Sequence, residues 1–432
     1  MTYQSLPSAH QRSSARIQLL SGALGRQRLQ LGGILLLGLV LPFLVRFGWE
    51  GIVTFDDHLG TSGLVLAGIL LSHMLVSQFS SYPGETPLTV SLTSASLGFG
   101  VVALLIMSTH VSYSRSMLMW GYFATIWWYA TLCFLRSRYG RRTLAVIPGG
   151  QTPELLNRPR IDWVHLSAPL PLTGMKSVEG VLVDLSAEIP AEWQRFVLAC
   201  GTAGVPVFDS TRTKEMVTGQ VELSSLSNIG FETLLPNRTY QKFKNVLDIA
   251  VAVATLPAVL PIIGITAAAI RLEGPGPVFF VQSRMGYHGR VFNCYKMRSM
   301  KVSAETMGPR FTADSDTRIT RVGQFIRKYH IDELPQVFNI IKGDMSWIGP
   351  RPEAVELAEH YERNIPYYAF RHAVKPGISG WAAIRQGNVA EVTAATTKLR
   401  HDFFYIKNLS FSLDAFIAAK TVWAMLTGAG SK

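Results

Sequence analysis

Asp332 and Glu333 stand side by side in Ile331-Asp332-Glu333-Leu334-Pro335-Gln336, and Gly349-Pro350-Arg351-Pro352 follows. Leu334, Val337, Phe338 and Ile341 recur at helical spacing and Gly343 ends the run. The spacing therefore predicts a helix with both carboxylates at its N-terminus and Pro335 tolerated in the first turn. Free N–H groups and the helix dipole stabilise negative charge there. That suits a nucleophile or a metal ligand, either of which must stay ionised. Adjacent helical residues point roughly 100° apart, so the pair reads as two roles rather than one symmetric grip. An ordinary acidic helix cap would use the same residue types.

Cationic residues surround this pair in sequence. Two prolines fix the backbone on both sides of Arg351, whose guanidinium suits bidentate phosphate contact. Lys296 and Arg298 alternate in Tyr295-Lys296-Met297-Arg298, a predicted strand, and would present two positive charges to one face. Arg318, Arg321 and Arg327 form a second basic set, either for a phosphate or lipid headgroup or as a solvated face. Lys375-Pro376-Gly377-Ile378-Ser379-Gly380-Trp381 is a rigid loop, read equally as a structural turn or as a wall of a nucleotide pocket. These pieces together point to phosphate chemistry.

The elements that must position them are partly membrane-bound. Of 432 residues, 48% are hydrophobic and 16% charged, with a net charge of +12; the mean hydropathy is +0.21. A basic, apolar chain suits nucleic acid or an anionic membrane surface. The first ~140 residues are mostly apolar with basic flanks, which selects the membrane and argues against a nucleic-acid partner. Apolar runs at about Leu29–Val45, Gly63–Phe79, Leu88–Met107 and Trp120–Leu135 each approach the ~20 residues needed to cross a bilayer. Trp49, Trp120, Tyr122, Trp127 and Trp128 suit interfacial belts, and the last two fit a buried position as well. Arginines precede the first run and follow the fourth, whereas the first loop carries Glu50, Asp56 and Asp57. Both ends of this four-helix unit (29–136) are therefore expected in the cytoplasm, with residues 1–28 a cytoplasmic tail rather than a signal peptide.

Residues 141–235 read as a small Rossmann-like cytoplasmic domain, a spacer or regulatory module. Leu144–Ile147, Val181–Asp184 and Val205–Asp209 look like buried strands, with a helix at Trp193–Cys200. No GxGxxG is present, so dinucleotide binding is not supported. Cys133, Cys200 and Cys294 are too dispersed for a zinc site or a disulfide framework, and the histidines are scattered.

Residues 240–432 form the expected catalytic domain. Its first apolar stretch, 246–270, is uncharged from Ile249 to Ile270 and long enough to span. Pro257 and Pro261 each remove a helix hydrogen bond. Lys242 and Lys244 precede the stretch, and Arg271, Arg284 and Arg290 follow it. Positive charge on both flanks favours a re-entrant helix–break–helix, while a kinked spanning helix fits the composition equally. Val422–Leu426 reads either as an amphipathic membrane foot or as core.

From about Lys242 onward the chain resembles the bacterial sugar transferases, the monotopic polyprenyl-phosphate phosphoglycosyl transferases. The resemblance lies in Lys242-Phe243-Lys244 through Asp248, the proline-containing segment, PGPVFFVQSRMG (275–286), YKMRSM (295–300) and TRITRVGQFIRK (317–328). It continues in DELPQVFNIIKGDMSWIGPRP (332–352) and VKPGISGWA (374–382), then Asp402, Tyr405, Asn408-Leu409-Ser410 and Asp414. A four-span unit and a Rossmann-like module resemble the long, undecaprenyl-phosphate glucose phosphotransferase-like subgroup.

The resemblance implies a fold of membrane α plus α/β class: a four-helix transmembrane unit, a small Rossmann-like domain and a mixed α/β catalytic domain with a re-entrant membrane hairpin. It implies a multi-pass protein of the bacterial inner membrane with a cytoplasmic catalytic domain. Asp332 would attack the β-phosphate of a UDP-sugar, UDP-glucose first, expel UMP and hold a sugar-phosphate. Undecaprenyl phosphate would then accept it, starting exopolysaccharide, capsule or O-antigen synthesis. Mg²⁺ would sit on Asp332 and the diphosphate, Arg351, Lys296 and Arg298 would bind phosphate, and Glu333 would orient the site or manage a proton. Arg318, Arg327 and Asp402 are candidate substrate or lipid-headgroup contacts. Membrane lipid, a homo-oligomer and downstream glycosyltransferases are the further partners implied. Leu260 before Pro261, His330 and Ala383 depart from the residues common in the family. The competing expectation is a non-catalytic membrane scaffold or transport component of a polysaccharide assembly complex.

Overall fold

The computed structural model describes residues 27–48, 55–79, 87–109, 113–139, 142–149, 161–171, 178, 180–223, 234–301, 318–386 and 392–427. Most of the predicted tail, with Trp49 and Glu50 of the predicted outer loop, lies outside the described residues. The chain divides into two compact units, Met1–Thr218 and Gly219–Lys432.

The first unit opens with helices α1 (Gln27–Phe47), α2 (Phe55–Phe79), α3 (Pro87–Thr109) and α4 (Arg115–Tyr139). The first three hold segments long and apolar enough to cross a membrane. Helix α4 carries the predicted fourth run and is uncharged from Ser116 to Leu135, between Arg115 and Arg136-Ser137-Arg138. It buries Met117, Tyr129 and Leu132 in the bundle core with Ile34, Val65, Ile69 and Phe99.

Small residues let these helices approach. A Cβ on Gly98 of α3 would lie 2.9 Å from the Gly68 carbonyl of α2, the close packing that replaces hydrophobic drive inside a bilayer. Helix α1 widens into a π-turn at Leu36–Val40, where Leu41 N–H donates to the Leu36 carbonyl. Pro42 has no N–H to offer the Leu37 carbonyl. That carbonyl accepts instead from Trp120 Nε1 at 3.1 Å, and Trp128 Nε1 donates to the Gln30 carbonyl at 2.9 Å. These indoles thus fasten α4 to α1, a use the interfacial-belt reading did not anticipate.

The same unit carries a four-stranded parallel sheet in the order β2-β1-β3-β4, with β1 Arg142–Val146, β2 Ile161–His165, β3 Gly180–Val183 and β4 Val207–Asp209. Helix α5 (Ala191–Thr202) connects β3 to β4 and buries Trp193, Phe196 and Cys200 against Ala145, Val181 and Val183. Three of these strands and α5 overlap the predicted elements. Strand β2 was not foreseen because Asp162 and His165 mask it in the sequence; as an edge strand it tolerates them. Helix α6 (Ser210–Thr218) ends the unit.

The second unit is built on α7, Arg238–Glu273, whose side-chain cap is Asn237 accepting from Thr239 N and Tyr240 N at 3.1 Å. Its 36 residues reach about 54 Å at 1.5 Å per residue, and its composition also suits membrane crossing. The helix runs unbroken through Pro257 and Pro261. A proline can be absorbed by curvature without non-helical backbone angles, so the break expected there is not a break in secondary structure. Lys244, Asp248, Ala252, Val259, Ile263, Thr266 and Ile270 are buried, one stripe at three- and four-residue steps. Val246, Val253, Ile265 and Leu272 on other faces stay exposed.

Against that stripe pack an antiparallel hairpin, β5 Phe279–Met285 with β6 Val291–Met297, then α8 (Arg321–Lys328) and α9 (Gln336–Lys342). Cys294, Met297, Ile326, Val337, Ile340 and Met345 complete the shared core. A short parallel pair, β7 Ser346–Ile348 with β8 Gly377–Ser379, follows. Helices α10 (Val355–Asn364), α11 (Trp381–Gln386), α12 (Val392–Lys407) and α13 (Phe411–Thr427) close the unit. Both ends of α7 are fastened to it. Near the start, Lys244 Nζ pairs with Asp414 at 2.9 Å, and Trp347 Nε1 donates to the Asp248 carbonyl at 3.1 Å. At the far end, the Glu273 carboxylate accepts from Arg321 N at 2.7 Å, capping α8.

Candidate active site

The acidic pair sits one turn earlier than the pattern predicted. Ile331–Glu333 form a 3-10 turn capped by His330 in the left-handed region (φ 55°), and Pro335 is the N-cap of α9. Proline donates no N–H and suits that junction. Asn339 of α9 sets the register against β6: its side-chain N–H donates to the Asn293 carbonyl at 2.7 Å and its oxygen accepts from Tyr295 N at 3.1 Å. That brings Lys296, next along β6, onto Glu333.

Glu333 is buried and clamped. Lys296 Nζ donates to Oε1 at 3.0 Å. Arg351 reaches both carboxylate oxygens, Nη2 to Oε1 at 2.6 Å and Nη1 to Oε2 at 3.3 Å. Burial alone would raise the Glu333 carboxyl, but Arg351 and Lys296 outweigh it and hold the group well below the ordinary carboxylate range. Asp332 is the opposite case. Half-buried, its carboxylate has no hydrogen-bond or ion-pair partner among the described residues. Burial first, and then the Glu333 charge, push it upward. The dipole argument from sequence expected the reverse, because it placed Asp332 on the helix N-terminus proper.

The Arg351 turn is held from below. Arg371 Nη2 donates to the Arg351 carbonyl at 2.9 Å and to Asp402 Oδ2 at 2.8 Å. Arg284 donates to the Pro352 carbonyl, and Lys398 pairs with Glu353 at 2.5 Å. Glycines let the turn close: a Cβ on Gly349 would fall 2.4 Å from the Lys375 carbonyl, and one on Gly380 would fall 2.2 Å from the Gly349 carbonyl. The loop read as a turn or a pocket wall is therefore the strut beneath Arg351. Gly349→Ala is expected to shift Arg351 and, if that guanidinium serves the reaction, to cut turnover about a hundredfold, the usual cost of a ~1 Å misplacement. Retention of wild-type turnover in lipid would show that the strut is slack.

The predicted residues separate into two groups. Asp332, Glu333, Lys296 and Arg351 come together. Arg298 does not join them, because it follows β6 instead of lying in it. Its guanidinium donates to the carbonyls of Gly274 (2.9 Å), Pro275 (2.8 Å) and Ile270 (3.2 Å), closing the C-terminus of α7. Arg298→Ala is expected to cost about 2 kcal/mol, a Tm drop of about 5 °C, with substrate KM unchanged; a raised KM with Tm intact would return Arg298 to the site. Asp402 is 1% exposed and neutralises Arg371, so its reach ends at the protein interior. Arg327 lies on α8, and the Arg318 backbone carbonyl accepts from Lys301 N at 3.0 Å.

Arg284, Arg371, Glu353 and Lys398 were missed by sequence reasoning. A signal for Arg371 existed: Asp402 in the apolar run Phe403-Phe404-Tyr405-Ile406 requires a buried cation nearby.

Among the described residues, no group of three His, Cys, Asp or Glu side chains could cage a metal. A single unpartnered carboxylate, Asp332, nevertheless fits magnesium, which commonly takes one or two protein carboxylates and completes its shell with substrate phosphates and water.

Comparison with known proteins agrees with this geometry. A model of the family described as bacterial sugar transferase matches residues 239–428. The chain is 37% identical over 399 residues to the UDP-N-acetylgalactosamine-undecaprenyl-phosphate N-acetylgalactosaminephosphotransferase of Aeromonas hydrophila, covering 92% of this chain and 94% of that one. It is 41% identical over 187 residues to the UDP-glucose:undecaprenyl-phosphate glucose-1-phosphate transferase of Xanthomonas campestris pv. campestris, covering 42% of this chain and 38% of that one. The like-named Escherichia coli (strain K12) protein is 38% identical over 182 residues, covering 42% and 39%. With a clamped Glu333, an open Asp332 and a relative matched along nearly its whole length, the chain belongs to the bacterial sugar transferase family.

Proposed function

We propose that this protein transfers a sugar-1-phosphate from a UDP-sugar to undecaprenyl phosphate and releases UMP. The observation that carries the reading is the contrast between two adjacent carboxylates: among the described residues, Glu333 is held by two cations and Asp332 by none. An unpartnered carboxylate next to fixed positive charge is arranged to attack an anionic phosphorus centre.

In the first step an Asp332 oxygen bonds to the β-phosphorus, and the bond from that phosphorus to the bridging oxygen breaks. UMP leaves with that oxygen and its electron pair. In the second step an oxygen of undecaprenyl phosphate bonds to the same phosphorus and Asp332 is released as a carboxylate. Lys296 and Arg351 offset charge on the phosphoryl oxygens while remaining tied to Glu333, which favours the orienting role for Glu333 over a proton-handling one. Asp332 and the diphosphate would hold Mg²⁺, which neutralises charge during phosphoryl transfer. Splitting the transfer lets two mutually repelling anions visit one site in turn.

The membrane setting follows the same reading. Lys244 and Asp248 near one end of α7, and Ile270 and Glu273 at the other, bond to the same compact unit. That supports a re-entrant α7 over a spanning one, with the change of direction supplied by a bend of the continuous helix at Pro257 and Pro261, both ends on the cytoplasmic side of the inner membrane and the site at the headgroup plane. The parallel sheet of the first unit serves as a Rossmann-like spacer. The relative matched along almost all of both chains names N-acetylgalactosamine, whereas the glucose-named relatives above match less than half of this chain. UDP-N-acetylgalactosamine is therefore tested beside UDP-glucose.

The deciding experiment supplies the purified chain in lipid with Mg²⁺, undecaprenyl phosphate and each UDP-sugar singly. UMP, not UDP, is expected with one of them. UDP release, or no nucleotide release from folded protein with any sugar, would defeat the proposal and favour a scaffold.

A further inference from the structure

The register of the hairpin pairs Phe280 with Lys296, Gln282 with Cys294 and Arg284 with Phe292. Directly paired residues project from the same face of a sheet. Lys296 and Arg284 thus leave the hairpin on one side, the side packed against Glu333 and the Arg351 turn. Their electrostatic situations differ. Lys296 and Arg351 share Glu333, Lys398 has Glu353, and Arg371 has Asp402. Arg284 has no carboxylate within ion-pair distance among the described residues; it reaches only the Pro352 carbonyl and, at 2.8 Å, Gln282 Oε1. Its Nε is buried without an acceptor. The carboxylates whose charge reaches it, Glu353 and Glu333, are already engaged by other cations.

A largely buried guanidinium without a counter-charge, beside a second guanidinium, is costly. Burial and the neighbouring Arg351 both work against its charged form. An anion bridging the two removes both penalties, and two planar forks suit the oxygens of a phosphate or diphosphate. A strut for the Pro352 carbonyl alone would not need a charge.

We propose that Arg284 is a substrate-binding residue of this site, which with Arg351 seats the diphosphate of the sugar nucleotide. The assignment rests on the sugar-nucleotide reading above and adds a residue to it.

The test compares Arg284→Gln and Arg284→Lys with the wild-type chain, all full length in lipid. Turnover is measured against UDP-sugar and against undecaprenyl phosphate separately. Binding of UDP with Mg²⁺ is read independently as the rise in Tm. Arg284→Gln is expected to raise the UDP-sugar KM at least about tenfold, the loss expected for a charge-assisted hydrogen bond. The UDP concentration giving equal thermal protection should rise about as much. The acceptor KM should stay unchanged and Arg284→Lys should recover most of the loss. A fall in kcat at constant KM, or equal UDP protection of wild type and Arg284→Gln, would overturn the assignment and leave Arg284 a strut. A raised acceptor KM with donor KM unchanged would overturn it in favour of the acceptor phosphate. If wild type releases no UMP with any sugar, the functional reading fails on that control. UDP protection of wild type but not of Arg284→Gln would still uphold the diphosphate seat.

Discussion

Asp332→Asn is expected to abolish UMP release, lowering turnover by at least about a thousandfold. Loss of a nucleophile carries penalties of that order or larger. The fold should be untouched, because the Asp332 carboxylate has no partner to lose among the described residues. The near-isosteric amide removes the charge and nucleophilicity and little else. Measuring UMP release and Tm on one preparation separates the two effects. Turnover within tenfold of wild type would exclude Asp332 as the nucleophile and move attention to its neighbours. A labelled sugar-phosphate should remain on the wild-type chain when undecaprenyl phosphate is withheld, and should not form on the variant.

Glu333→Gln should fail differently. The carboxylate is buried and holds Lys296 at 3.0 Å and Arg351 at 2.6 Å. Removing its charge leaves two neighbouring cations facing each other in a poorly solvated space. Breaking a buried pair by removing one partner costs about 3–5 kcal/mol, a Tm loss on the order of 10 °C for a unit of this size. Turnover should fall about a thousandfold as well, because the cations proposed to stabilise the transferring phosphoryl group lose their placement. The diagnostic is the joint loss of Tm and activity, against activity alone for Asp332→Asn. A variant with wild-type Tm and no turnover would instead give Glu333 a direct chemical role.

How much of this was readable from the sequence depends on where each contact closes. Asp332, Glu333 and Arg351 were legible because the helix start and the proline-flanked turn are local patterns. Lys296 was legible as a strand residue, but its pairing with Glu333 is fixed by Asn339 across 44 positions. No periodicity encodes such a bond. Arg298 was misplaced for a related reason. Two residues of strand alternation put it beside Lys296, yet β6 ends at Met297, and the next residue turns to the open carbonyls of α7. Of the cations below the turn, only Arg371 had a signal, through Asp402; Arg284 and Lys398 were invisible because each meets a backbone carbonyl or a carboxylate brought from far along the chain. The membrane segments were legible from length and apolarity, and three of the four predicted runs lie in helices apolar enough to cross. Two prolines in α7 signalled a break, but helical geometry accommodated them.

A helix bonded to one body near both of its ends has no freedom to slide along its own axis. If α7 lies in the membrane as proposed, lipid thickness cannot be matched by moving the helix alone. A bilayer too thick or too thin must tilt or lift the whole second unit, and with it Asp332 and the Arg351 turn. The reach from the phosphate plane to the nucleophile then becomes a property of the acyl chains around the protein. Lipid length would act on this enzyme as a rate-setting variable, through the same rigid coupling that holds Glu333 against its two cations.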